Sequence, residues 1–445
     1  MPTHNSKQIT LTEYQFLHAG GGAAPNGVCI TQKQFDAIES FVLRNVDDEV
    51  GYLLRLGQRK GVGKILQAQQ YVGVIQLTDG TTIEILPKIT QSDDDQHQNE
   101  SRQVLINMLR TLPDSHFRHV DFASLKVTKM PLFEVFIGMF LQALAKLVQR
   151  GIKNDYITRE ENTAFLKGKL LFSQHIKHNL VHKERFYVAY DNYLPDRIEN
   201  QIIKTTLLKL YGLSRSGTNQ QRIREFQFVF DDIASVQDIK VAFSKVKPSR
   251  QMKDYEQVLD WCKILLLGNS FAPSKGSDVA LSLLFDMNKL FEAYVGHYLK
   301  KHGLEVSLQD KGHHLACQDN KGVFALRPDI VIGEGVTIAD TKWKVLSEEK
   351  SYQGISQSDV YQMYAYATKY QHCQKIALIY PKIGESNNSQ NYCFRSVHCK
   401  TTMADKNIPL NILFFDLSQP DNQSSVQRID VAYFKTVILH EARIR

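Results

Sequence analysis

The order of apolar and polar positions divides the 445-residue chain into three stretches. Residues 1–90 read mainly as strands. Tyr71–Leu86 alternates loosely around Thr78-Asp79-Gly80, where Asp-Gly supplies the positive φ of a tight hairpin. One helix, about Gln32–Asn45, interrupts these strands. The polar segment Gln91–Arg102 has no apolar period and reads as a surface loop. Residues 103–267 read as mostly helical, with apolar positions three and four apart in Val104–Leu112, Pro131–Arg150, Glu199–Tyr211 and Asp254–Leu267. Pro131 suits a helix start and Gly151 a left-handed end. Gly268–Asp278, rich in Gly, Ser and Pro, reads as a boundary.

From 279 to 445 the pattern is α/β. It predicts a long amphipathic helix over about Val279–His302, strands at Gly322–Ile332 and Val336–Trp343, and a helix at about Gln357–Tyr370. Strands at Lys375–Pro381, Asn391–His398 and Asn411–Leu417 follow. The expected fold class is α+β and multidomain: a strand-rich N-terminal region at 1–90, a mostly helical middle at 103–267 and an α/β region at 279–445. Domains usually own their cores, so the boundary predicts that residues 1–270 keep their structure without the rest.

Apolar residues at 43% and charged residues at 23% exclude a disordered chain, a collagen-like repeat or a small disulfide scaffold. The net charge of +7 permits contact with a polyanion without demonstrating it. None of the six cysteines forms a C-x-x-C pair, which argues against a zinc ribbon and for thiols as small core residues in a reducing compartment. The first residues lack the basic and apolar blocks of a signal peptide. The most apolar helix, Pro131–Val148, carries Glu134, Gln142 and Lys146 and is short for a membrane span. A cytoplasmic protein with no membrane partner is expected.

Gly57-Gln58-Arg59-Lys60-Gly61-Val62-Gly63-Lys64 superficially suggests a phosphate loop. It has five residues between Gly57 and Gly63, and Ile65 stands where a Ser or Thr would hold Mg²⁺. A glycine-rich basic turn between strands is the better reading, and the chain is not expected to bind nucleotide itself. His313-His314 lack metal-ligand spacing, and no G-x-S-x-G elbow is present.

The chemistry concentrates in Arg327-Pro328-Asp329 through Asp340-Thr341-Lys342. A hairpin centred on Glu334 makes Asp329 and Asp340 near cross-strand neighbours. Lys342, two residues beyond Asp340, shares its face, and Lys344 is a minor rival by the same parity. Adjacent carboxylates repel unless a cation compensates them, and Mg²⁺ takes one or two carboxylates plus waters and phosphate oxygens. A neighbouring Lys can orient and activate water and stabilise charge on a phosphate. The competing reading is a solvent-facing strand with an incidental salt bridge. Glu292, in the preceding helix, is either a third carboxylate or an exposed helical residue. Gln362 and Tyr366, four apart, share a helix face that either covers the site or packs in the core.

This order resembles the PD-(D/E)xK nuclease superfamily. Phe285-Asp286-Met287-Asn288-Lys289-Leu290-Phe291-Glu292, Arg327-Pro328-Asp329 and Asp340-Thr341-Lys342-Trp343-Lys344 resemble the McrC family, the nuclease subunit of the McrBC 5-methylcytosine-specific restriction system. Ile83-Glu84-Ile85-Leu86-Pro87-Lys88-Ile89, Leu166-Lys167-Gly168-Lys169-Leu170 and Asn200-Gln201-Ile202-Ile203-Lys204 extend the resemblance over about residues 70–380. The resemblance implies a C-terminal PD-(D/E)xK endonuclease domain with a mixed central sheet. In it Asp329, Asp340, the Thr341 carbonyl and Glu292 hold Mg²⁺, Lys342 acts on water, and Gln362 and Tyr366 support the site. It also implies double-stranded, methylated DNA as substrate and a separate McrB-type AAA+ GTPase hexamer as partner, whose GTP hydrolysis this chain stimulates. The N-terminal and middle regions would dock on that ring, with Lys167, Lys169 and Arg185 reaching into it or contacting DNA. The rival readings are a GTPase-activating adaptor with a vestigial nuclease domain and a nuclease acting without a motor.

Overall fold

The computed structural model describes residues 8–20, 24–44, 53–89, 95–112, 130–247, 249–267, 279–319, 321–347, 350–382, 390–398, 405–417, 428–429 and 431–435. Its first sheet has four strands in the order Gln8–Thr12, Thr82–Leu86, Tyr71–Leu77, Val279–Asp286. Tyr71–Leu77 and Thr82–Leu86 form the expected hairpin, with Gly80 at φ 85° in the turn. The fourth strand corrects the helix expected from Val279. Val279–Asp286 is extended and runs antiparallel to Tyr71–Leu77, and the helix begins only at Met287. The unbroken apolar run VALSLLF suits a buried strand as well as a helix, so periodicity did not separate them. Gly73, at φ 138°, lets the two backbones meet: a Cβ there would lie 2.0 Å from the Leu283 carbonyl oxygen.

A second four-stranded sheet is ordered Gly27–Cys29, Phe16–His18, Gly63–Ala68, Leu54–Arg59. The glycine-rich basic segment is the turn of its last hairpin, with Gly61 and Gly63 at positive φ, and opens no helix. The helix Gln32–Arg44 follows the first of these strands in sequence. A polar loop is not what 95–102 forms. The helix Asp95–Leu109 begins there, because Leu105, Ile106, Met108 and Leu109 anchor its second half in the core. Arg102 reaches the buried carboxylate of Glu84 at 2.7 and 2.8 Å, and Glu84 also accepts the Leu132 amide at 3.1 Å. Gln91–Asp94 lies outside the described residues, as does the boundary at Gly268–Asp278.

The middle region packs Leu132–Gln149 against Lys253–Leu267 and Gly217–Val229, and Ile198–Leu213 against Lys253–Leu267. Leu132–Gln149 is long and apolar enough to cross a membrane, and 72% of it is buried inside the protein. The region is not wholly helical. Asp155–Thr163, Phe186–Leu194 and Lys169–Leu170 form a small sheet beside the short helix Phe172–Asn179. Its strands mix charged and aromatic residues without a clean period, which hid them from the apolar pattern.

The C-terminal sheet has six strands: Val306–Leu308, Ile330–Ile332, Thr337–Thr341, Lys375–Lys382, Asp405–Asp416, Gln390–His398. It is mixed, with parallel pairing on both sides of Lys375–Lys382 and antiparallel pairing elsewhere. Ala339, Ala377 and Ile379 share a core with Phe291 and Tyr294 of the helix Met287–Lys301. Ile338, Ile376 and Leu378 face the other way, onto Met363 and Tyr366 of the helix Gln357–Lys369. The single strand expected over Gly322–Ile332 is two: Lys321–Ala325 pairs with His314–Gln318 outside the sheet, and Ile330–Ile332 lies within it. Pro328, which has no N–H for a ladder, sits at the break. Of the described cysteines, Cys262 and Cys373 are buried, while Cys29, Cys317 and Cys393 are exposed.

One apolar core runs from Ile9 and Tyr71 through Phe136 and Trp261 to Phe291, Ile379 and Phe415. It therefore joins all three stretches, and residues 1–270 do not own a separate core. Val279–Asp286 also covers the edge of Tyr71–Leu77, a strand buried at every position. A chain ending at residue 270 leaves that apolar edge bare. It is expected to aggregate and to lack a cooperative melt, measured by size-exclusion chromatography and calorimetry. A monomeric, cooperatively melting 1–270 fragment would contradict the shared core.

Candidate active site

The site forms where two short strands end. Ile330 pairs with Ala339 and Ile332 with Thr337, so the same register carried one pair further sets Asp329 opposite Asp340. The ladder between the two strands ends at the Ile330–Ala339 pair, and Pro328, just before Asp329, has no N–H with which to extend it. The Thr341 amide turns to the Asp329 side chain instead: its N–H and its hydroxyl both donate to Asp329 Oδ2 at 2.7 Å. Those two bonds orient Asp329.

Asp340 is 1% exposed, so it is not part of a solvated strand face. Lys342 Nζ lies 2.5 Å from Asp340 Oδ2, and that oxygen has no well-aligned hydrogen bond. Lys342 Nζ also donates to Gln362 Oε1 at 3.0 Å, and Gln362 Nε2 meets the Tyr366 hydroxyl at 2.7 Å. Gln362 and Tyr366 thus share the face that the sequence assigns them. Tyr366 is buried in the second core while its hydroxyl serves this chain of bonds. Glu292 is buried rather than exposed, and accepts from Gln309 Nε2 at 3.2 Å.

The electrostatics follow from crowding. Burial pushes the Glu292 carboxyl up to about 7, reinforced by the charges of Asp329 and Asp340. Burial likewise raises Asp340, with Asp329 adding to it, and raises Asp329 against its two bonds from Thr341. Burial pulls Lys342 down, but Asp340 outweighs it and the ammonium is held charged. Three carboxyls therefore share a site that favours fewer negative charges than they carry, the condition a bound cation relieves. Among the described residues no three His, Cys, Asp or Glu side chains converge as a ready metal-ligand group. The two aspartates nevertheless suit Mg²⁺, which keeps several waters and asks for only one or two carboxylates.

Three other residues belong to the site. Gln309 donates its backbone N–H to the Asp329 carbonyl at 3.1 Å and its side chain to the Glu292 carboxylate, joining the Asp329 backbone to the helix that carries Glu292. No motif marked it. Asp359, with an oxygen 4.0 Å from Lys342 Nζ, lies one helical turn before Gln362, a spacing that could have found it. Glu13 holds Trp343: both its carboxylate oxygens accept from the indole N–H, at 3.1 and 3.0 Å, and one accepts from the Lys88 amide at 2.9 Å. Trp343 packs edge-on to Phe291. Lys344 does not share the face of Lys342, because the strand ends at Thr341; it is exposed and donates to the Gly354 carbonyl. In the middle region Lys167 pairs with Glu161 and lies over the Tyr190 ring, while Lys169 and Arg185 are exposed.

Fold and site define a multidomain α+β protein with paired aspartates and a lysine at the end of a mixed sheet. The McrBC 5-methylcytosine restriction system component family matches residues 66–381, and the chain belongs to that family. Among solved structures, it is similar to a chain of the refined half-complex from the tetradecameric assembly of Thermococcus gammatolerans McrB AAA+ hexamers with bound McrC. The identity is 18%, the TM-score 0.64, and the match covers 97% of this chain and 99% of that one. The cryo-EM structure of the Thermococcus gammatolerans McrBC complex also matches, at 22% identity and TM-score 0.47, over 66% of this chain and 87% of that one. No curated protein matches.

Glu13 generates a pH prediction. Burial raises its carboxyl from 4.5 to about 7, so between these values the folded chain holds a proton that the unfolded chain has lost. Stability from this group is therefore greatest below about 4.5 and falls as pH rises towards 7, at about 1.4 kcal/mol per pKa unit. In Glu13→Gln the drop in melting temperature between about pH 5 and pH 8 should shrink. An undiminished drop would show that Glu13 is not buried as described.

Proposed function

We propose that the chain is the nuclease subunit of a modification-dependent restriction system, a Mg²⁺-dependent endodeoxyribonuclease that acts with a separate AAA+ GTPase and stimulates its GTP hydrolysis. Family membership supports the restriction-system part of this reading. The observation that carries the chemistry is the buried Asp340 close to Asp329, with Lys342 held between Asp340 and Gln362. Asp329, Asp340 and the Thr341 carbonyl would hold the metal, with Glu292 completing its shell through water. Bound there, Mg²⁺ supplies Lewis-acid polarisation of a phosphate and a lowered pKa for water.

The chain's own residues supply position and charge. Lys342, kept cationic by Asp340, orients the attacking water and offsets negative charge developing on the phosphate. Gln362 and Tyr366 fix the lysine's direction, and Asp359 adds a second carboxylate beside it. Asp329 is oriented by Thr341 before any substrate arrives. The solved assembly of similar fold is described as McrB AAA+ hexamers with bound McrC, which supports docking of this chain on an AAA+ ring. The exposed Lys169 and Arg185, with Phe165 and Phe172 nearby in sequence, are the middle-region groups proposed to meet that ring or methylated duplex DNA. A vestigial nuclease domain is disfavoured, since a decayed site has no reason to keep two paired aspartates and a supported lysine.

The test is cleavage of methylated duplex DNA with the GTPase partner, GTP and Mg²⁺. Asp329→Ala, Asp340→Ala and Lys342→Ala should each lose activity by about 100-fold or more, and chelation should abolish it. Lys344→Ala should remain near the native rate, and Asp340→Ala should still stimulate GTP turnover. Native-rate cleavage by the Asp340 variant would overturn the site, and equal losses at Lys342 and Lys344 would overturn the role given to Lys342.

A further inference from the structure

Between the first two strands of the C-terminal sheet the chain makes an excursion that the sheet does not need. His314–Gln318 and Lys321–Ala325 pair as a two-stranded ribbon, from His314 opposite Ala325 to Gln318 opposite Lys321. No other described strand joins it. Every ribbon residue is exposed except the half-buried Val323, so both faces meet solvent. It nevertheless carries Leu315, 46% exposed, and Phe324, 74% exposed. Apolar side chains held out on both-faces-open structure have no folding role to explain them.

Backbone and charge add to this. Phe324 has φ 57°, a left-handed conformation that is a real outlier for a bulky residue and persists where surroundings or function require it. Gln309 and Asp319, on the same excursion, also have positive φ, at 50° and 49°. From Lys311 to Arg327 the fixed charges are Lys311, Lys321 and Arg327 against Asp319 alone. Asp310, just outside, is occupied by the Tyr370 hydroxyl at 2.6 Å. The ribbon's foot is tied to the candidate site: Leu326 N–H donates to the His313 carbonyl at 2.8 Å, and Gln309 bonds both Asp329 and Glu292.

We propose that this ribbon is a DNA-gripping arm, lying in the major groove beside the scissile phosphate with Phe324 against the bases. A two-stranded ribbon fits a groove about 12 Å wide, and an exposed aromatic side chain makes the apolar contact that base edges offer. Lys321 and Arg327 meet the flanking phosphates, which fixes the arm's register on the duplex. Its attachment through Gln309 places the gripped groove next to Asp329. The proposal rests on the nuclease reading for what the grip serves, not for whether the arm binds DNA.

The experiment measures binding of the full chain to a fluorescein-labelled 30-base-pair duplex by anisotropy, with Ca²⁺ in place of Mg²⁺, over a range of salt. Phe324→Ala should weaken binding about fivefold or more, and the Lys321→Ala/Arg327→Ala pair should lower the slope of log affinity against log salt by about two. Tyr392→Ala, on the opposite edge strand of the sheet, should bind as the native chain does, and melting temperatures should be unchanged throughout. Native affinity in both ribbon variants overturns the arm, as does a loss confined to binding the AAA+ partner. Mg²⁺-dependent cleavage measured in parallel separates the two readings: ribbon-dependent binding without any cleavage by the native chain would sink the nuclease reading and leave the arm standing.

Discussion

A single buried carboxylate joins the N-terminal strands to the strand that carries Asp340. Glu13 follows the first strand of the N-terminal sheet and accepts from the Trp343 indole and the Lys88 amide. A carboxyl 1% exposed survives only because its oxygens are filled from both sides. Trp343 immediately follows Lys342, so the direction in which the chain leaves the Thr337–Thr341 strand is set by the N-terminal sheet. The Val279–Asp286 strand enforces the same union from the other side. It ends the N-terminal sheet, the Met287 amide bonds the Gln70 carbonyl at 3.0 Å, and the next helix delivers Glu292 to the site. Both carboxylate-bearing elements are thus fixed by strands laid down in the first 90 residues.

That rigidity is needed because the site opposes itself. Burial raises the proton affinity of Asp329, Asp340 and Glu292, and the charge of Asp329 adds to it at both Asp340 and Glu292. An unsupported loop would relax the repulsion by turning a side chain outward. Here the hydrogen bonds from Thr341 and Gln309 and the Lys342 ammonium hold the carboxyls in place. Such stored conflict is typical of functional sites, where local comfort is given up for a charge distribution that ligand binding relieves.

The aspartate pair was legible because a β-hairpin has few registers, and Gly333-Glu334-Gly335 fixed its centre. Asp-x-Lys on one strand and Gln-x-x-x-Tyr on one helix face are likewise short-range geometry, and the side chains lie as their spacing implies. Lys344 broke the same parity rule, since parity holds only while the strand continues, and it stops at Thr341. Longer-range features left no local trace. Val279–Asp286 is a strand because Tyr71–Leu77, two hundred residues earlier, presents an open edge. Gln309 matters through a contact with Glu292 that no spacing encodes. The second ribbon strand, Lys321–Ala325, merged in sequence with Ile330–Ile332 into one apparent strand, because exposure of its apolar residues leaves no trace in the sequence.

The middle region carries the same lesson in the opposite direction. The Asp155–Leu194 sheet has the strand pairing of a folded unit, yet Val188 is its one fully buried apolar strand residue among those described. Phe165, Phe172, Leu180 and Val181 are all largely exposed. A sheet of this size gains little stability from its own burial and is held by its ladder and by attachment to the helices. Asn179 supplies part of that attachment by bonding Asn162 and the Arg185 carbonyl, so the exposed side chains sit on a defined scaffold rather than a loose loop. Ordered apolar surface of that kind is most economically explained by burial against another molecule. In the proposed reading, the middle region therefore presents an ordered surface for the ring while the C-terminal region holds a strained carboxylate site for DNA.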